Sequence, residues 1–128
     1  RSKTKEQLVK ESLLNFTTSD GFEILIGKNN VQNEFLTTKF ANVNDLWFHA
    51  RLIPGSHVIL KTDNGKKNVT QKALTEAAML AAKYSKARYS SNVCIIYTKI
   101  KYVKKPPQTK PGFVTYSKER AIYVTPDI

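Results

Sequence analysis

A single cysteine, Cys94, stands in a chain of 128 residues, so no internal disulfide is possible and the fold must rest on its own core. Cys94 lies in the apolar run Val93 to Tyr97, where a small buried hydrophobe is expected. Long hydrophobic runs are lacking as well. None approaches the ~18 residues of a membrane-spanning helix, and Arg1 to Lys10 alternates charge with apolar residues without forming a signal-peptide core, so no membrane partner is expected. The scarcest feature is acid. No Asp or Glu occurs between Glu76 and Glu119, whereas Lys83, Lys86, Arg88, Lys99, Lys101, Lys104, Lys105, Lys110 and Lys118 all fall there. Overall, 21 Lys and Arg against 10 Asp and Glu leave a net charge of +11, more than solubility needs, and a polyanion is the natural partner.

Folding a chain of this length buries roughly two-thirds of its unfolded surface, enough for one core. The start at Arg1, without Met, and the end just past the apolar Ala121 to Val124 are expected of a piece of a longer protein. Residues 1–15 read as a helical linker remnant of that parent, with Leu8, Val9 and Leu13 at helical spacing, and residues 16–128 as the domain. Ser19-Asp20-Gly21 is a turn between Phe16-Thr17-Thr18 and the alternating Phe22 to Ile26, which predicts a hairpin. Asn29 or Asn30 caps a short helix through Val31, Glu34 and Phe35. Asp45 to Arg51 alternates as a strand with Leu46, Phe48 and Ala50 on one face and Trp47, His49 and Arg51 on the other. Pro54-Gly55 predicts a turn with Gly at positive φ, and His57 to Lys61 the returning strand.

Asn68, with Gln71 three residues on, predicts the cap of one long helix over residues 68–87, with Ala73, Ala77, Leu80, Ala81 and Tyr84 facing a sheet. Val93 to Val103 reads as one or two strands, Lys104 to Gly112 as a proline-broken basic loop, and Phe113 to Tyr116 with Ala121 to Val124 as a closing hairpin. The expected fold class is α+β, a single domain whose mixed, mainly antiparallel sheet is covered by one long helix.

Two constellations could carry function. Lys99, Lys101 and Lys105 share one strand parity and would form a row tracking phosphates, with Lys104, Lys110, Lys83, Lys86 and Arg88 adding charge. Trp47, His49 and Arg51 share a face with His57 just past a turn. The readings there are structural histidines bonded to backbone, or nucleic-acid contact. In the second, Trp47 stacks, His49 and Arg51 donate to phosphate, and the Pro54-Gly55-Ser56 amides form an anion nest. Two histidines with no suitable carboxylate or second cysteine are a thin metal site, and Ser56 and His57, adjacent in a strand, point apart, so neither a metal nor a catalytic residue is expected.

At Asp45 to Leu60 the string DLWFHARLIPGSHVIL resembles the signature of the NFACT-R domain, the carboxy-terminal module of the bacterial ribosome-quality-control and fibronectin-binding-protein-A family. Ser19-Asp20-Gly21-Phe22, Gly27-Lys28-Asn29-Asn30, Ala77 to Ser91, Val103 to Lys105 and Lys110-Pro111-Gly112 are similar to further family segments, in order. Cys94, Pro106 to Thr109, and the Phe48 and Ala50 pair depart from the pattern. The resemblance implies an RNA-binding, non-enzymatic, cytoplasmic module without a cofactor. Its partners would be large-subunit ribosomal RNA and transfer RNA, within a protein that adds alanine to stalled chains without a template. Fibronectin binding by a surface-displayed parent protein is the second reading. A nuclease-like enzyme using His49 and His57 is the third. The residues expected to meet RNA are Trp47, His49, Arg51, Ser56, His57, Lys83, Lys86, Arg88, Lys99, Lys101, Lys104, Lys105 and Lys110.

Overall fold

The computed structural model describes residues 2–127. α1 (Lys5–Ser12) starts at Thr4, whose hydroxyl accepts from the Gln7 amide while the Gln7 side chain accepts from the Thr4 amide, a closed capping box. β1 (Leu14–Thr17) and β2 (Glu23–Ile26) form the expected hairpin. The fold therefore takes in Leu13, which is buried, and Leu14, both inside the segment expected to be linker. Asn29 accepts from the Gln32 amide and caps α2 (Asn30–Phe35), which runs on into a π-helical turn, Leu36–Phe40.

β3 (Leu46–Ala50) and β4 (Val58–Leu60) follow, then α3 (Gln71–Lys83), β5 (Val93–Lys99), a 3-10 turn (Ile100–Tyr102), β6 (Val103–Lys104), β7 (Thr115–Tyr116) and β8 (Arg120–Val124). Six strands pair antiparallel in the order β1-β2-β4-β3-β5-β8, and β6 with β7 makes a separate ribbon. The α+β class stands; two elements are corrected. α3 is shorter than residues 68–87, because the Thr70 hydroxyl, not Asn68, accepts from the Ala73 amide. At the other end, Ser85 leaves the helix to pair with Gly55 as an isolated β-bridge. The closing hairpin does not form either: β7 pairs with β6 and β8 with β5, separated by Lys118 at φ 56.

Period-two alternation sends Leu46, Phe48 and Ala50 to one face, where they meet Ile24, Ile26, Val58, Leu60 and Ile95 beneath α3. α3 approaches closely because its buried residues are Ala73, Ala77, Ala78, Ala81 and Ala82. The opposite face is covered too. Trp47, Leu25, Ile59 and Ile96 pack there with Leu13, Leu36 and Ile100, flanked by Val103, Val114 and Tyr116 around the β6–β7 ribbon. The sheet thus lies between a long helix and a patchwork of short pieces.

Candidate nucleic-acid interface

The patchwork face holds the histidines. His57 is 3% exposed; its amide donates to Asn33 Oδ1 at 3.0 Å, and its Nδ1 lies 2.7 Å from the Thr37 hydroxyl. The π-helical turn carries Thr37, so this irregular backbone sets the histidine's partner. Burial, reinforced by His49, pushes the His57 pKa from 6.5 down to about 3, against the opposing bond to the Gly112 backbone, and the ring is neutral at pH 7. His49 Nδ1 donates to the Ala50 carbonyl at 2.6 Å, and burial lowers its pKa as well. Trp47 joins them: it stacks on His49 at 5.7 Å and 8°, meets His57 edge-on at 5.4 Å, and touches Tyr116 at 5.4 Å.

Two glycines are required by close approach. A Cβ on Gly27 would stand 2.2 Å from Asn33 Oδ1, so only Gly lets α2 sit against the end of β2. A Cβ on Gly55 would stand 2.9 Å from Ser85 Cβ. The expected positive φ belongs to Leu52 instead, at φ 55.

The proline-broken loop folds back over this face. Lys105 reaches Glu34 at 3.1 Å and also donates to the Thr109 and Lys110 carbonyls, and the Gly112 amide donates to Glu34 Oε1 at 3.0 Å. The Gly112 amide, and then Lys105, hold the Glu34 carboxyl below its ordinary value. Three depressions that share lining residues form a groove from the end of α3 to the loop. The first, about 300 Å³, has Lys28, Asn29 and Lys86 on its rim. The second, about 260 Å³, shares Asn30, Asn33, Pro54 and Gly55 with it and adds Lys110. The third, about 450 Å³, is lined by Trp47, His49, Leu52, Phe113 and Tyr116.

Several expected site residues lie elsewhere. Trp47 is 1% exposed, so the open stacking surface expected of it is instead a cavity wall. β3 ends at Ala50, and exposed Arg51, whose amide donates to the Cys94 carbonyl at 3.0 Å, lines none of the three depressions. The Pro54-Gly55-Ser56 nest is absent, because the Ser56 amide already donates to the Tyr84 carbonyl at 3.0 Å and Pro54 has no N–H. Half-buried Ser56 does reach the groove wall.

The lysine row is broken. The 3-10 turn at Ile100–Tyr102 resets strand parity after exposed Lys99, exposed Lys101 lies over Tyr102 at 5.5 Å, exposed Lys104 enters β6, and Lys105 is spent on Glu34. Lys83 is half-buried on α3, and Arg88 is exposed beyond it beside Tyr89. Sequence reasoning missed Lys28 and Phe113 as groove residues, although Lys28 lies within, and Phe113 directly after, a segment that carried the family resemblance.

Comparison with known proteins decides the family. Residues 12–118 match the NFACT protein RNA binding domain. The chain belongs to that family. It is similar to the protein named Rqc2 homolog RqcH of Bacillus subtilis, 47% identical over 112 residues that cover 88% of this chain and 19% of that protein. The protein of the same name in Streptococcus suis is 50% identical over 103 residues, 80% of this chain and 18% of that protein. Among solved structures, the C-terminal part of the fibronectin/fibrinogen-binding protein from Streptococcus suis matches with a TM-score of 0.85 and 40% identity, covering 99% of this chain and 47% of that one. This NFACT RNA-binding domain spans about a fifth of the length of these two bacterial relatives, and it belongs to the RqcH and Rqc2 ribosome quality control family.

Proposed function

We propose that this domain grips RNA along the groove, that its partners are large-subunit ribosomal RNA and transfer RNA, and that it performs no chemistry itself. It serves a cytoplasmic, ribosome-associated parent protein that adds carboxy-terminal alanine to stalled chains without a template. The observation that carries the reading is the groove's division of labour: Lys28, Lys86 and Lys110 border a polar stretch that opens into an aromatic cavity. Lysines meet phosphates and aromatic rings meet bases, the combination used for single-stranded nucleic acid. The non-enzymatic part rests on His57: burial lowers its pKa to about 3, so the ring is too weak a base at neutral pH to activate the Thr37 hydroxyl 2.7 Å away.

Titration of labelled transfer RNA and large-subunit RNA fragments at several salt concentrations tests it. With three phosphates neutralised the log-log slope is about −2 to −3, spanning the single-strand and duplex coefficients. A slope near zero, or RNA cleavage lost in His49→Ala, contradicts the reading. The name of the Streptococcus suis neighbour supports a second reading, fibronectin or fibrinogen as ligand. Salt-resistant capture of fibronectin by a chain that ignores RNA would favour it.

A further inference from the structure

We infer that the inner cavity of the groove is a receptor for one unpaired nucleobase, swung out of an RNA strand whose phosphates lie on Lys28, Lys86 and Lys110; this rests on the RNA-binding reading above. The cavity, about 450 Å³, falls within the ~300–1,000 Å³ of small-molecule sites. The rings of Trp47, His49, Phe113 and Tyr116 line it together with aliphatic side chains such as Ile53 and Val114, and its lining includes exposed apolar side chains. Leu52 is 89% exposed and Phe113 52% exposed. Leu52 also takes φ 55, a backbone conformation that a Leu rarely adopts, and so is held strained and apolar in water at the rim. Nothing in the described fold needs that side chain there, whereas an incoming ring would cover it.

The electrostatics separate base from phosphate. Both histidines in the wall are held neutral by burial, so the cavity offers no cation to an anionic group, while the lysines border the other two depressions. A phosphate is drawn to the outer groove and a neutral, planar, apolar-faced group to the inner end. Extrusion of a base is cheapest from a bulge or loop, where no pair is broken.

Trp47 is the only tryptophan, so its intrinsic emission reports from the cavity wall alone. Three labelled RNA hairpins test the inference: one with a single bulged adenosine, one without the bulge, and one with an abasic site in its place. Anisotropy reads total binding and Trp47 emission reads occupation of the cavity. The bulged hairpin is expected to bind about tenfold tighter than the other two, the scale of one base stacked on an aromatic ring, and to quench Trp47. The other hairpins bind without changing the emission. Phe113→Ala, at a position 52% exposed, should abolish the tenfold preference and bring the three hairpins to one affinity. Equal affinity for all three hairpins with unchanged Trp47 emission overturns the base receptor while sparing the RNA-binding reading. Failure of every hairpin to bind at low salt overturns both.

Discussion

The two faces of the sheet solve different problems with strands of the same sequence. Beneath α3, alternate residues of β2, β3, β4 and β5 present Ile24, Ile26, Phe48, Val58, Leu60 and Ile95 to an alanine-rich helix. On the other face the same strands present Trp47, His49 and, at the edge of β4, His57, covered by a six-residue helix, a π-helical turn and a proline-broken loop. A long helix closes over its face with a row of small buried residues. Short pieces meet imperfectly, and each polar group among them needs its own partner: Thr37 and Asn33 for His57, Glu34 for Lys105 and Gly112. A discontinuous covering is where a ligand could enter among polar side chains that are already positioned, which is why the proposed RNA site lies there.

The largest effect expected from this contrast comes from making one kind of change on both faces. Phe48→Ala, fully buried under α3 and stacked on Tyr97 at 5.2 Å, should cost about 3–5 kcal/mol of folding stability. Phe113→Ala, at the cavity mouth, should cost less than about 1 kcal/mol. Denaturant unfolding of the two variants checks this, and equal losses would erase the distinction between core and site.

Acid sharpens the contrast next. His57 accepts a proton near pH 6.5 when unfolded and only near pH 3 when folded, so its contribution to stability is present above pH 6.5 and is lost as the pH falls toward 3. Lowering the pH from 7.5 to 5 should then cost about 2 kcal/mol from this residue, with His49 acting in the same direction. His57→Gln should flatten the dependence across that window in urea titrations at several pH values. Asp45 answers lower down. Burial alone would raise its pKa, but Lys61 at 2.6 Å and the Thr62 and Asn42 amides outweigh it, so its contribution is lost only below the ordinary carboxylate range. The smallest effect is at the loop: Lys105→Ala breaks a half-exposed pair with Glu34 and should lower stability by less than about 1 kcal/mol.

How much of this was legible in the sequence follows from the range of the interactions involved. The hairpin at Ser19-Asp20-Gly21, the Asn29 cap and the opposed faces of Leu46-Phe48-Ala50 and Trp47-His49 are set by local turn chemistry and strand period, and all were readable. The burial of Trp47 was not. It depends on a loop whose Gly112 meets Glu34 across 78 residues, a contact no periodicity encodes. The lysine row failed for a related reason: parity counting assumes an unbroken strand, and the 3-10 turn at Ile100–Tyr102 breaks it. Lys28 and Lys110 line one groove only because the fold brings them together.

The central claim, that RNA lies in the groove and not along the former lysine row, is tested most directly by one paired measurement. RNA affinity across a salt series should be compared between a chain carrying Lys28→Ala, Lys86→Ala and Lys110→Ala and one carrying Lys99→Ala, Lys101→Ala and Lys104→Ala. The groove variant should show a salt slope shallower by about 2 to 3 and correspondingly weaker binding, with the row variant close to wild type. Wild-type affinity and slope in the groove variant, with the loss appearing in the row variant, would contradict the account.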